Sequence, residues 1–590
     1  MPSRQTTLLV TALTLLAGLA GCIGQGDDLS PTSQETPVRQ GLDALTEPVF
    51  DTILRTAHTI QGEVQGHETE EIWLDIYRPE GASEGTVPTI LVFTPYQALG
   101  DARGVTDAAQ GEPNVPPEEQ PYNEDLVDFF VPRGYAVAFA DVRGNHNAGG
   151  CIDQSGEGQW WDGHYTIEWL ADQPWSNGKV GMIGVSYDGE TQVSTALTNP
   201  PSLATIVPIA SVQSQYQYLY YHGVPYNMQG VSTMAAYLAI SAIPGTDPQA
   251  ATTYHERFTC HPENFEAALD LSGDWSPYWE ERAYFKQNAQ VTNTSVLHIH
   301  GLQDWNVKPD HIDPQFENWN TEKRAIYGQW GHAWPQRDDW AGDEGILHRW
   351  MDHHLLGTDT GLMDELPPVL AQDTDERWHA LDALVDDAAP TARFQLDAGM
   401  ALVTERAEAG ELILHDYPRD QAPSPIERRA ISDAVNQAGS AVTGHETSAL
   451  WTSEAMAEEL VLTGRPTLTL NVSTTEESTH WAAHLVLIHE DGTQEVINRA
   501  YQDTRHLDGL DDPKPLTPGE PYQLTLTFFP QMDVIPAGSQ LALWLSNDDS
   551  WVHQDDTYAM STLELGPGAV LELPLIQPDA GSVPGDTLVP

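Results

Sequence analysis

The stretch KVGMIGVSYDGETQV, Lys179 to Val193, decides how this chain is read. An apolar run from Val180 to Val185 gives way at Ser186 to small and polar residues, which is how a buried strand ends and a helix begins. A serine at that junction occupies the place of a nucleophile elbow, whose usual pattern is G-x-S-x-G. Here Gly184 stands two residues before Ser186, but the next glycine, Gly189, stands three after it, with Tyr187 and Asp188 fitted between. On its own the pattern G-x-S-x-x-G is weak, and a chance loop fits it as well.

The surroundings supply the context that an elbow needs. TILVFTPY (89–96), YAVAFADV (135–142), VGMIGVS (180–186) and LATIVPIA (203–210) are short apolar runs of the kind buried in a parallel sheet. Between them, segments 124–134, 164–173 and 190–198 carry helical spacing. The alternation predicts a doubly wound α/β fold, with its site at the carboxyl ends of the strands. It lapses over 211–290, rich in tyrosine and short helical pieces, and resumes with SVLHIHGL (295–302), RAIYGQ (324–329) and a helix near 345–356. The expected division is catalytic α/β at 49–210 and 291–362, with a helical cap at 211–290. Beyond that, 363–590 alternates at period two between Gly, Pro and Asp turns, which predicts an all-β jelly-roll sandwich.

Serine is a poor nucleophile at neutral pH and needs a histidine base, a carboxylate to orient it, and donors for the oxyanion. In α/β-hydrolases the partners follow in the order Ser, Asp, His. Asp304 in HIHGLQDWNVKP and His332 in YGQWGHAWP each fall just past a predicted strand. Three residues in that order, at strand ends of one α/β pattern, form a constellation that none of them makes singly.

Composition narrows the class. The chain has 590 residues, which implies more than one domain, and its formal net charge of -61 repels nucleic acid and anionic lipid. Such a surface is soluble and well hydrated, and suits high salt, where screening relieves its self-repulsion. Arg4, the apolar run Leu8 to Ala20, and LAGC ending at Cys22 read as an export signal. LAGC resembles a lipobox, which implies cleavage before a lipidated Cys22 (signal 1–22), a tether over 23–48, and anchoring to the outer face of the cell membrane through that lipid alone. With Cys22 so assigned, Cys151 and Cys260 remain as an even pair in an oxidising compartment, and a bridge between them is expected.

GVSYDG also resembles the G-x-S-Y-x-G of the Xaa-Pro dipeptidyl-peptidases and their relatives, the cocaine-esterase-like and α-amino-acid ester hydrolases. DVRGNHNAGGC, GLQDWNVKP and the long block from Asp503 to Asn547 resemble the same family, so the likeness spans most of the chain. It implies an α/β-hydrolase domain followed by a galactose-binding-like β domain. It also implies Ser186 as nucleophile, Asp304 as orienting acid and His332 as base. The Tyr187 backbone N–H and the Tyr96 hydroxyl would be the oxyanion donors. Tyr216, Tyr218 and Trp305 would make an aromatic slot for proline, and Asn306 a polar contact. Asp304-Trp305-Asn306 lacks the carboxylates that follow the catalytic aspartate in the amino-acid ester hydrolases. The expected substrate is a peptide or a small ester or amide, with no cofactor and no metal; the oligomeric state is not legible.

Overall fold

Val87–Thr94 is buried at every position, so both faces of this strand must be covered, as in a parallel sheet packed between helices. The structure, a computed structural model, describes residues 45–97, 124–226, 233, 261–332, 335, 345–416, 448–547, 549, 551–552, 557–576 and 582–583. Cys22, Cys260, the export signal and most of the expected tether lie outside them. The catalytic sheet is built from β1 (Ile53–Ile60), β2 (Ile72–Pro79), β3 (Val87–Thr94), β4 (Ala136–Asp141), β5 (Ser176–Val185), β6 (Leu203–Ile209), β7 (Ser295–Gly301), β8 (Lys323–Gly328), β9 (Val369–Gln372) and β10 (Trp378–Leu381). Their spatial order is β1-β2-β4-β3-β5-β6-β7-β8-β9-β10, with Ser582–Val583 added at the β10 edge. Strands β3 to β9 are mutually parallel, and β1, β2 and β10 run against their neighbours. The winding reverses between β3 and β5, and a crevice at their carboxyl ends follows from that reversal.

The helices that matter here are α1 (Glu124–Phe130), α2 (Glu157–Ala171), α3 (Tyr187–Ala196), α4 (Gln215–Leu219), α5 (Pro262–Leu269), α6 (Pro277–Glu281) and α7 (Ile346–Met351). Side chains alternate across a strand, so Ile90 and Val92 of β3 face α1 and α7 through Phe130, Trp350 and Met351. Leu91 and Phe93 face the other way, toward Ile167 and Leu170 of α2 and Val193 and Ala196 of α3. Helix α2 begins at Glu157, seven residues before the segment that its spacing predicts. Two glycines weaken the helical signal there, and one of them is required: a Cβ on Gly163 would stand 2.2 Å from the Thr195 hydroxyl, so the glycine sets how closely α2 and α3 approach.

The boundary expected at 363 falls too early: Val369–Gln372 and Trp378–Leu381 pair onto the catalytic sheet, and Ser582–Val583 returns to its edge, so the all-β C-terminal domain runs from Thr391–Leu396 to Met560–Pro574. In His480–Ile488 the alternation serves two cores. Trp481, Ala483, Leu485 and Leu487 enter the domain's own interior, while Ala482 and Val486 meet Tyr221, Tyr226 and Trp305 of the catalytic half. Arg465 fixes the same seam with two bonds to the Asp313 carboxylate, at 2.9 and 2.5 Å. Among the described residues no helix is long and apolar enough to cross a membrane.

Candidate active site

Ser186 is the single residue between β5 and α3, with φ 64° and ψ -121°. A non-glycine residue there is strained, and such strain is held only where surrounding structure over-determines it. The determinants are visible. The Ser186 N–H donates to the Ile209 carbonyl at 2.9 Å, and its carbonyl accepts from Gly189 and Glu190. A Cβ on Gly184 would fall 2.4 Å from that of Asp188, and one on Gly189 would meet Ser211 at 2.9 Å and the Ile209 carbonyl at 3.0 Å. The glycine after the serine is therefore placed where α3 abuts the end of β6. Asp188, at the usual glycine position, is buried and takes a hydrogen bond from Thr94, although burial holds its carboxyl well above the ordinary range.

The acid and the histidine come from the next strand ends. Asp304 is fully buried three residues past β7. Its Oδ1 accepts the backbone N–H groups of Asn306 (2.8 Å) and Val307 (2.9 Å), and its Oδ2 lies 2.7 Å from His332 Nδ1. His300 stands behind, its Nε2 donating to the Val307 carbonyl at 2.9 Å; burial lowers its pKa and keeps it neutral. The histidine segment folds back over the sheet because two strands end in glycine. A Cβ on Gly301 would strike the carbonyls of Trp330 and Gly331 at 2.1 and 2.6 Å, and one on Gly328 would enter the Trp330 ring. The Gln303 N–H then ties the two loops through the Trp330 carbonyl at 3.0 Å.

Tyr96, two residues past β3, completes the arrangement. Its hydroxyl meets the Ser186 side chain and the Tyr187 backbone N–H. Burial, with Asp188 close by, raises its pKa, so the phenol stays protonated and can donate. The Tyr187 side chain points away and anchors the elbow: its hydroxyl accepts from the Ser155 N–H (3.1 Å) and donates to Gln159 (2.8 Å).

The four residues expected to line the pocket separate into two groups. Tyr218 lies near Tyr96 and donates to Asn306 Oδ1 at 2.9 Å, which puts both beside the centre. Tyr216 is turned the other way. Two residues apart on a one-turn helix, the two tyrosines point about 200° from each other. Tyr216 stacks on Tyr220 inside the cap (centroids 4.8 Å apart) and donates to the Gly273 carbonyl at 2.5 Å. A cavity of about 710 Å³, lined by Tyr216, Gln217, Tyr221, Asp310 and Arg465 among others, contains none of the three triad candidates. Trp305 enters the seam between domains, edge-on to Phe529 at 5.5 Å, with the Arg499 guanidinium 4.7 Å from its ring centre.

A family model described as X-Pro dipeptidyl-peptidase (S15 family) matches residues 69–334, and one described as the X-Pro dipeptidyl-peptidase C-terminal non-catalytic domain matches 360–566. The chain belongs to the S15 peptidase family. A Streptomyces avermitilis protein, provisionally named as an Xaa-Pro dipeptidyl-peptidase, is 26% identical over 92% of this chain and 85% of its own. A solved aminopeptidase from a marine sediment Thaumarchaeota archaeon shares the fold at TM-score 0.67 and 17% identity, covering 93% of this chain and 99% of its own. A solved α-amino acid ester hydrolase does so at 0.65 and 20%, covering 93% and 100%. This S15 chain is thus a hydrolase with an α/β-hydrolase domain and an all-β C-terminal domain.

Within this S15 chain the sequence pattern alone did not single out the clamp behind the elbow. Glu190, one turn into α3, is fully buried; its Oε1 accepts from Gln215 (2.6 Å) and Tyr284 (2.7 Å). The Tyr284 hydroxyl also reaches the Ser155 carbonyl at 3.0 Å, and Arg282 holds the carbonyls of Asp153 and Gln154 at 3.0 and 3.2 Å. Cap residues thereby pin the loop on which the Tyr187 side chain rests. Cys151, at the head of that loop, is disulfide-bonded; Cys260, its expected partner, lies outside the described residues. Burial pushes the Glu190 carboxyl up to about 7 from 4.5, against the pull of its hydrogen bonds and Arg282. Between those two values the unfolded chain releases a proton that the folded chain keeps, so Glu190 makes stability fall as pH rises through this window and level off above it. Glu190→Gln mimics the protonated form. Its urea midpoint should gain on the parent's between about pH 5 and pH 8; a constant difference would show that Glu190 does not titrate there.

Proposed function

We propose that the chain releases N-terminal Xaa-Pro dipeptides as a serine hydrolase. His332 takes the Ser186 hydroxyl proton as Oγ attacks the carbonyl that follows proline. The tetrahedral oxyanion rests on the Tyr187 N–H and the Tyr96 hydroxyl. The departing amine takes the proton from His332 as the C–N bond breaks, leaving the dipeptide esterified to Ser186. Water then loses a proton to His332, attacks the ester, and restores the serine. Throughout, Asp304 holds Nδ1 protonated so that Nε2 can accept.

The observation that carries this reading is the 2.7 Å Asp304–His332 pair beside a strained serine elbow, in a chain of the S15 family. Tyr218 and Asn306, side by side near Tyr96, support a slot for a flat ring with one polar contact. The test is a panel of Gly-Pro-p-nitroanilide, Ala-Pro-p-nitroanilide and p-nitrophenyl esters across a salt series. Cleavage of the esters with both anilides untouched would make the chain an esterase with the same machinery.

Tyr96→Phe removes one oxyanion donor while keeping the ring, and turnover should fall by roughly 10² to 10³. A parental rate would take Tyr96 out of the site. The proposal extends to place: the enzyme is exported and held outside the cell by lipid on Cys22. Metabolic labelling with a fatty-acid analogue should mark the full chain and spare Cys22→Ala; equal labelling of both would remove the anchor.

A further inference from the structure

The foot of the catalytic sheet, at the end of the strands away from Ser186 and His332, carries a second group of chemically capable side chains. Glu322 immediately precedes β8, and His353 and His354 lie in the turn Asp352–Leu356 that follows α7. One ligand atom from each of the three lies within 4.8 Å of the other two. His353 Nδ1 stands 3.2 Å from the Thr358 carbonyl. A carbonyl only accepts, so Nδ1 carries the hydrogen and Nε2 keeps its lone pair. That is the arrangement in which a metal-binding histidine is oriented by a backbone acceptor.

His354 is the more telling member. Its side chain is only 8% exposed and packs on Trp350 with ring centres 4.3 Å apart. Its Nε2 is buried without a hydrogen-bond partner among the described residues, and faces Glu322 Oε2 at 4.0 Å. A buried imidazole nitrogen left unmatched is costly, and a ligand would supply the missing partner.

Two cations adjoin the group and are otherwise engaged. Lys179 Nζ donates to the His354 carbonyl at 3.0 Å, and Arg324 donates to the carbonyls of Leu366, Lys323 and Met363. Glu322, with a side chain 44% exposed, has room to swing inward and supplies a negative charge.

We propose that Glu322, His353 and His354 bind one divalent transition ion of the zinc type, with water completing its shell, and so fasten the turn after α7 to the start of β8. Two imidazoles and a carboxylate suit zinc, and copper and nickel compete for such a set. With bonds of about 2.0 to 2.2 Å, the donors must close from their present spacing, and the exposed glutamate is the one free to move. The ion would be structural, since the catalytic centre lies at the opposite end of the strands.

Full-length protein stripped with a chelator and titrated with Zn²⁺ by calorimetry should bind one equivalent at this site. Binding should weaken by at least about tenfold in Glu322→Gln, His353→Ala and His354→Ala, since losing a ligand costs no less than losing its outer support. Circular dichroism establishes that each variant is folded. If His354→Ala unfolds through its contact with Trp350, the exposed Glu322→Gln and half-buried His353→Ala decide. Co²⁺ bound at the site should show the intense visible bands of a four-coordinate ion. No binding at all, or equal affinity in parent and folded variants, overturns the proposal. Peptidase activity is left unchanged by these substitutions, so a failed metal titration and a failed peptidase assay are separate results.

Discussion

Ser186→Ala is expected to lower turnover on Gly-Pro-p-nitroanilide by a factor on the order of 10⁶, by the precedent of nucleophile removal in other serine hydrolases. The argument rests on how little else changes. Ser186 sits at φ 64°, held by its backbone bond to Ile209 and by the glycines at 184 and 189. Alanine has the same backbone preferences and takes up less space, so the elbow should survive and the urea midpoint should move little. The Tyr187 N–H and Tyr96 hydroxyl remain, and the residual rate should be what oxyanion donors and binding alone provide, roughly 10³ to 10⁴ above water. A fluorophosphonate probe should label the parent and not the variant. If the folded variant keeps more than about one per cent of the parental rate, Ser186 is not the nucleophile.

Much of this arrangement is legible in the sequence, and the reasons differ by residue. Strands buried on both faces write themselves as continuous apolar runs, which is why β3 to β8 are readable, and Ser186, Asp304 and His332 fall at their ends. The late glycine is not explicable from sequence: only the approach of α3 to Ile209 and Ser211 shows why position 189 admits no side chain. The direction of Tyr216 is likewise hidden, because a helix of five residues has no period from which to read a face. Trp305 reads as a site residue by its neighbour Asp304, yet its ring partner Phe529 comes from more than two hundred residues away. Glu190 escapes notice because an acidic residue in the first turn ordinarily faces water and complements the helix dipole. Here the cap covers it.

Asp304→Asn tests whether the acid acts by fixing a tautomer, and turnover should fall about 10⁴-fold. The environment decides which way the new amide faces. Oδ1 of Asp304 accepts two backbone N–H groups, from Asn306 and Val307, and only the amide oxygen can take that place. The NH₂ group is then forced toward His332 Nδ1, which now lies 2.7 Å from Oδ2. Facing a donor, Nδ1 must accept, so the ring proton moves to Nε2 and the base can no longer receive the serine proton. Because the loop keeps both backbone hydrogen bonds, stability should change far less than rate. Two measurements separate this account from simple loss of charge. His332→Ala should be about as slow as Asp304→Asn or slower, and the double variant little worse than His332→Ala, since residues acting as one unit are not additive. A folded Asp304→Asn protein within tenfold of the parental rate would mean that the 2.7 Å pair is structural and that His332 is oriented by something else.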